Sequence, residues 1–135
     1  MDLIPGTGDT VVGVKLLDCD HREMAEAIME LQEATGLEKD QSHTASLLRK
    51  LSHFTLTHFA LEEGMMSATR YPGVNLHRLH HQRMMEQLRE VVAIHNRGRH
   101  AMNREWLGAL ADWHTMHIDH DDLQYGHWIN RMRQR

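Results

Sequence analysis

A single cysteine, two prolines and only 5% aromatic residues deprive this 135-residue chain of several familiar ways of being held together or put to use. One thiol, Cys19, excludes an intrachain disulfide, a cysteine zinc ribbon and a dithiol redox site. It reads instead as a small, half-buried residue near a helix start. Positive charge is not in excess either. Lys and Arg number 15 against 19 Asp and Glu, a formal net charge of -4, so nucleic acid and anionic lipid find no general attraction. No apolar run approaches membrane-spanning length, and the opening MDLIPGTGDTVVGV lacks the basic segment and continuous apolar core of a signal peptide. The expectation is a soluble cytoplasmic monomer, with neither nucleic acid nor membrane as a partner.

What is present is histidine and methionine, 13 and 10 residues respectively. With 41% hydrophobic and 25% charged residues the chain has the composition of a globular protein. Its length suits one domain over residues 1–135. Residues 1–15, broken by Pro5, Gly6, Gly8 and Gly13, read as an N-terminal arm, residues 16–125 as the folded body, and residues 126–135 as a solvated basic tail.

Apolar residues recur at intervals of three and four, the helical period. His21, Met24, Ile28 and Leu31 mark a first helix, capped by Asp18 or Asp20 and stopped at Gly36. Leu48, Leu51, Thr55, His58, Glu62 and Met65 mark a second, capped by Asp40 or Ser42 and ended by Gly64 and SATRYPG. Val74, His77, His81, Met84, Leu88, Val91 and His95 mark a third, closed by Arg97 and Gly98. A fourth, starting between His100 and Asn103, turns Met102, Trp106, Leu110, Trp113 and His117 inward. Four such helices on short connections, with no strand-like alternation, predict an all-α, up-down-up-down antiparallel four-helix bundle.

Every predicted helix carries a ligand-type residue on its apolar stripe: His21, then His58 and Glu62, then His77 and His81, then His117. One histidine there would be ordinary core. Five imidazoles and a carboxylate at matching depth would leave large desolvation costs uncompensated unless they share a metal. Five nitrogen donors exceed one tetrahedral zinc and suit two ions of higher coordination number, with iron the natural candidate. No glutamate has a histidine three residues later, which argues against the Glu-x-x-His oxygenase pattern. At the end of the fourth helix, helical arithmetic favours Asp121, four residues past His117, over Asp122 at five.

Asp18-Cys-Asp-His21, His58-Phe-Ala-Leu-Glu62-Glu63, Tyr71-Pro72, His77-x-x-x-His81 and His117-Ile118-Asp-His-Asp-Asp122 together span nearly the whole chain. In that order and spacing the sequence resembles the hemerythrin family, in particular its single-domain bacterial members, the bacteriohemerythrins. The resemblance implies a non-haem di-iron centre that binds dioxygen reversibly, for carriage, storage, sensing or delivery to an oxygen-consuming enzyme. By position, His77, His81 and His117 would hold one iron. His21 and His58 would hold the other and leave it one vacancy, with Glu62 and Asp122 bridging beside an oxo or hydroxo group. Asp122 then requires a local bulge in the helix. Met24, Phe59, Leu61, Trp113 and Ile118 are candidates for excluding water, and Tyr125 for covering either the open iron or the bundle end. Glu63 and His80 read as surface or supporting groups. His43, His53, His95, His100, His114, His120 and His127 are given no role, though His120 stands near enough to support the site. No acid-base machinery or pocket for an organic substrate is legible, so the chain is not expected to be an enzyme. The rival readings are a di-iron redox enzyme acting on peroxide or nitric oxide, and a module in which metal only holds the bundle together.

Overall fold

Helix α1 runs over Lys15–Gly36, α2 over Gln41–Ala68, α3 over Val74–Asn96 and α4 over Arg104–His117. A π-helical turn at Ile118–Asp122 then leads without interruption into α5, Leu123–Arg133. The computed structural model describes residues 13–36, 41–96 and 103–133. Among these there is no strand, and α1 packs on α2 and α4 while α2 packs on α3. This is the all-α antiparallel four-helix bundle expected from the periodicity, with α4, the π turn and α5 forming its last rod.

The apolar stripes fill the bundle in two separate blocks. One contains Ile28, Leu31, Leu48, Leu51, Phe59, Met84, Met85, Leu88, Val91, Leu107 and Leu110. Leu31, Leu48, Leu51, Leu88 and Leu107 are each no more than 1% exposed, and burying each contributes roughly 1.5–3 kcal/mol. The other block contains Val14, Leu17, Met66, Ile118, Tyr125 and Ile129. On α1 and α2 the ligand-type residues fall where the two blocks meet. His21 follows Leu17 and precedes Ile28, and Glu62 lies between Phe59 and Met66. A polar layer is thereby sealed between two apolar ones.

The boundaries correct several expectations. Helix α1 begins at Lys15, so Asp18 is in its first turn, donating its backbone N–H to Val14 O at 2.9 Å. Neither Asp18 nor Asp20 is the cap, and Cys19 is exposed rather than half-buried. Ser42 is likewise inside α2, while Asp40, Arg97, Gly98, His100 and Met102 lie outside the described residues, as do residues 1–12 of the expected arm. Gly64 does not end α2. The helix continues to Ala68 and closes through Arg70, whose φ is 59°. Tyr71 N–H donates to Met66 O at 2.9 Å and Arg70 N–H to Ser67 O at 3.2 Å, the paired bonds of a Schellman cap, with Pro72 next to prevent continuation. Because Met66, not Met65, continues from Glu62, it is Met66 that is fully buried.

In α4 the buried residues are Leu107, Leu110, His114 and His117. Trp106 and Trp113, expected inside, are half-buried at the margin, where a bulky indole keeps its N–H within reach of a partner. Asn103 caps this helix, its side chain accepting from Trp106 N–H at 2.9 Å. The expected solvated tail is also corrected. Residues 126–133 are helical, and Tyr125, Gly126 and Ile129 are buried at the helical interval. Asn130 donates to the carbonyl of Gly13 at 3.3 Å, tying α5 to the start of α1. Arg131 and Arg133 face solvent as expected, together with His127 and Met132.

Candidate metal centre

Seven side chains from four helices meet in the sealed layer: His21, His58, Glu62, His77, His81, His117 and Asp122, each no more than 5% exposed. The helical interval of four puts His58 over Glu62 on α2 and His77 over His81 on α3. On the last rod the interval is five. Leu123 N–H donates to Ile118 O, an i to i−5 bond, and the extra residue carried by the π turn rotates Asp122 onto the inward face of His117. Asp122 is 1% exposed. Asp121 lies behind it, its side chain 28% exposed and its Oδ2 accepting from His117 Nδ1 at 2.9 Å.

The donor atoms form two groups that share both buried carboxylates. Glu62, His77, His81, His117 and Asp122 place ligand atoms within 4.8 Å of one another, as do His21, His58, Glu62 and Asp122. Each carboxylate is divided between them. Glu62 Oε1 meets His77 Nε2 in very close contact and lies 3.2 Å from His81 Nε2, while its Oε2 lies 3.2 Å from His58 Nε2 and 3.6 Å from His21 Nε2. Asp122 Oδ1 is 2.9 Å from His77 Nε2 and 3.1 Å from His117 Nε2, and its Oδ2 is 2.8 Å from His21 Nε2.

Proton accounting shows what such an arrangement can hold. His58 Nδ1 is 3.0 Å from Asp20 Oδ2, His81 Nδ1 is 2.9 Å from Glu63 Oε2, and His117 Nδ1 is 2.9 Å from Asp121 Oδ2. A carboxylate only accepts, so each of these Nδ1 atoms carries the proton, and in a neutral ring Nε2 then presents a lone pair. Yet His81 Nε2 and His117 Nε2 stand 3.0 Å apart. His58 Nε2 faces a carboxylate oxygen, and Glu62 Oε2, both Asp122 oxygens and His21 Nε2 are buried without a hydrogen bond of acceptable alignment despite their close approaches. Converging lone pairs repel one another. A cation at the common point turns the repulsion into coordination, and nitrogen and oxygen donors of this kind suit a divalent transition metal.

Without a cation the layer answers with protons. Burial lowers the pKa of His21 and His77, but Asp122 and Glu62 outweigh it and raise both to about 9. His117 is driven well above its ordinary value in the same way, against burial, chiefly by Asp122. Glu62, although burial pushes it up, is held well below the usual carboxylate range by His117, His21, His58 and His77. Asp122 is also lowered, with His117 and His21 overcoming burial and the nearby Glu62.

Apolar groups close the layer. Phe59 stacks on His81 with centroids 3.7 Å apart and planes 1° from parallel, and Trp113 stacks on His117 at 4.7 Å and 9°. Met24 and Ile118 are buried, while Leu61 is half-buried. Tyr125 belongs to the apolar block at the bundle end, fully buried, its OH 3.1 Å from Thr69 Oγ1. His80 Nδ1 donates to Asp121 at 2.9 Å, and His95 Nε2 lies 3.3 Å from Thr44 Oγ1. His43, His53, His120 and His127 are exposed. Two roles escaped the sequence reading. Asp20, taken for a cap, supports His58. His114, given no role, is 2% exposed beside the cluster, its ring 6.3 Å from that of His21, and burial followed by the neighbouring His21 lowers its pKa to about 3. Its position three residues before His117 was the available signal.

Comparison with known proteins agrees with this geometry. The family model described as Hemerythrin HHE cation binding domain matches residues 12–129. Similar proteins include a bacteriohemerythrin of Pseudomonas aeruginosa strain LESB58, 28% identical over 117 residues, covering 87% of this chain and 75% of that one. Myohemerythrin of Sipunculus nudus is 29% identical over 111 residues, covering 82% and 81%. A solved structure, of a leucine-to-phenylalanine mutant, has a TM-score of 0.84 over 93% of this chain and 94% of its own at 20% identity, a likeness of fold. With a family match that takes in every helix and both halves of the buried cluster, this chain belongs to the hemerythrin family.

Proposed function

We propose that the buried layer holds two iron ions and binds dioxygen reversibly, for carriage, storage, sensing or delivery to an oxygen-consuming enzyme. The observation that carries this reading is the unequal division of donors, three imidazoles converging with the shared carboxylates on one side and two on the other. His77, His81 and His117 would hold one ion and His21 and His58 the second. Glu62 and Asp122, which belong to both donor groups, would help to hold both ions. Iron held by these residues would supply the electron exchange with dioxygen that reversible binding needs.

The chain's own residues favour reversibility. Asp20, Glu63 and Asp121 fix the Nδ1 protons and so aim the three opposite nitrogens inward. Phe59, Met24 and Ile118 keep water from the layer, which suppresses loss of an electron from the site. The test is metal analysis of the purified protein with its optical spectrum followed anaerobically, in air and again under vacuum. Two irons per chain and a visible band that appears in air and disappears under vacuum are expected. A change in air that vacuum never reverses would overturn oxygen carriage, and sustained turnover of peroxide or nitric oxide with a reductant would replace it by the redox-enzyme reading.

A further inference from the structure

His114 is the buried polar group that the proposed oxygen chemistry leaves unused. It stands on α4 one turn before His117 and on the same inward face. The ring is 2% exposed and meets that of His21 edge to face, 6.3 Å away at 77°. Neither Nδ1 nor Nε2 has a hydrogen-bond partner. A buried imidazole with both nitrogens idle destabilises a fold, and a leucine in its place would not. Nor does His114 belong to the ligand set. Donors on one ion lie about 3–4 Å apart, whereas the His114 nitrogens are absent from both groups of atoms lying within 4.8 Å of one another. The ring thus lies beside the two-histidine side without joining its donor set, and a neutral imidazole carries one donor and one acceptor.

We propose that His114 grips the exogenous ligand: its imidazole N–H donates a hydrogen bond to the outer atom of a small acceptor, dioxygen or a triatomic anion, seated on the His21 and His58 side of the centre. This rests on the ligand-binding reading given above. His114 is therefore a specificity-determining residue, favouring ligands whose far end accepts a hydrogen bond. Phe59 and Met24, which also enclose the layer, offer no such donor.

The test uses the full chain loaded with iron, in the diferric state, and azide as the probe. Three proteins are compared: wild type, His114→Leu and His114→Gln. The readings are the azide dissociation constant from its visible band, the shift of the bound azide stretch in D2O, iron per chain, and the melting temperature of the metal-free protein. His114→Leu is expected to keep two irons, melt higher when metal-free, bind azide about tenfold more weakly and lose the D2O shift. His114→Gln, which retains a donor, keeps the affinity within about threefold. An azide affinity and D2O shift unchanged in His114→Leu overturn the inference alone. Loss of iron from that variant also overturns it, making His114 a ligand. A wild-type protein that holds two irons and takes no azide overturns the ligand-binding reading with it.

Discussion

Asp121 and Asp122 are separated by one position and about 100° of helical rotation, and they do different work. Asp122 sends one oxygen towards each histidine group, while Asp121 accepts from His117 Nδ1 and His80 Nδ1. Asp122→Ala should therefore reduce bound metal from two ions per chain to one or none. Asp121→Ala should keep both sites but weaken metal affinity about 10–100-fold, as loss of a carboxylate behind a histidine ligand does. Metal titration of the two variants checks this, and equal effects would count against the division. The five histidines and Glu62 were legible because a helix repeats them on its apolar stripe. The partners of Asp20 and Glu63 were not, because Asp20 meets His58 and Glu63 meets His81 across helix interfaces, where no sequence interval records the contact.

At the level of the elements, the two departures from regular helix have different costs. The end of α2 requires the left-handed conformation at Arg70, φ 59°, which a side chain adopts with strain and glycine does not. Arg70→Gly should stabilise the protein by about 0.5–1 kcal/mol, read as a higher denaturant midpoint with unchanged slope. Asn103→Ala removes the cap of α4 and should cost about 1 kcal/mol by the same assay. The π turn at Ile118–Asp122 is retained for position, since it delivers Asp122 inward while keeping Ile118 and Tyr125 in one apolar block. Neither departure follows from local propensity. IDHDD is compatible with an ordinary helix, and packing on both sides of the turn selects the wider one. The same packing converts the expected tail into α5, because Ile129 finds Val14 and Leu17 to cover.

For the whole molecule, the buried layer makes stability depend on pH and metal together. In the metal-free protein His21 and His77 titrate at about 9. The folded chain holds protons that the unfolded chain releases above 6.5, so their stabilisation is complete below pH 6.5 and disappears as pH rises towards 9. His114 acts in the opposite sense. With a folded pKa of about 3, it refuses a proton that the unfolded chain accepts, and stability falls as pH drops below 6.5. Glu62 and Asp122, held below their ordinary values, add a steeper loss below about pH 4.5. Thermal unfolding of the metal-free protein should thus peak near pH 6.5. Iron should raise the melting temperature and flatten the alkaline limb, because coordinated imidazoles no longer carry the protons being lost. An alkaline limb unchanged by iron would show that His21 and His77 are not ligands. No helix among the described residues is long and apolar enough to cross a membrane.

The sequence by itself determined the order of the four bundle helices and most of the residues they bury, because those follow from an apolar period of three and four that any reader can count. It also put five histidines and Glu62 on the apolar stripes, because spacing on a helix is local, while the meeting of His21 with Glu62 and Asp122 depended on the packing of the helices. The tertiary structure decided what depends on contacts between helices: that Asp122 turns inward through a π turn, that Asp20 and Glu63 orient His58 and His81, and that α5 completes the bundle. It also decided that His114 is buried with its nitrogens unpartnered. Interval alone puts His114 and Trp113 on equally plausible inward faces, and only the packing of α4 against α1 turns the imidazole towards His21.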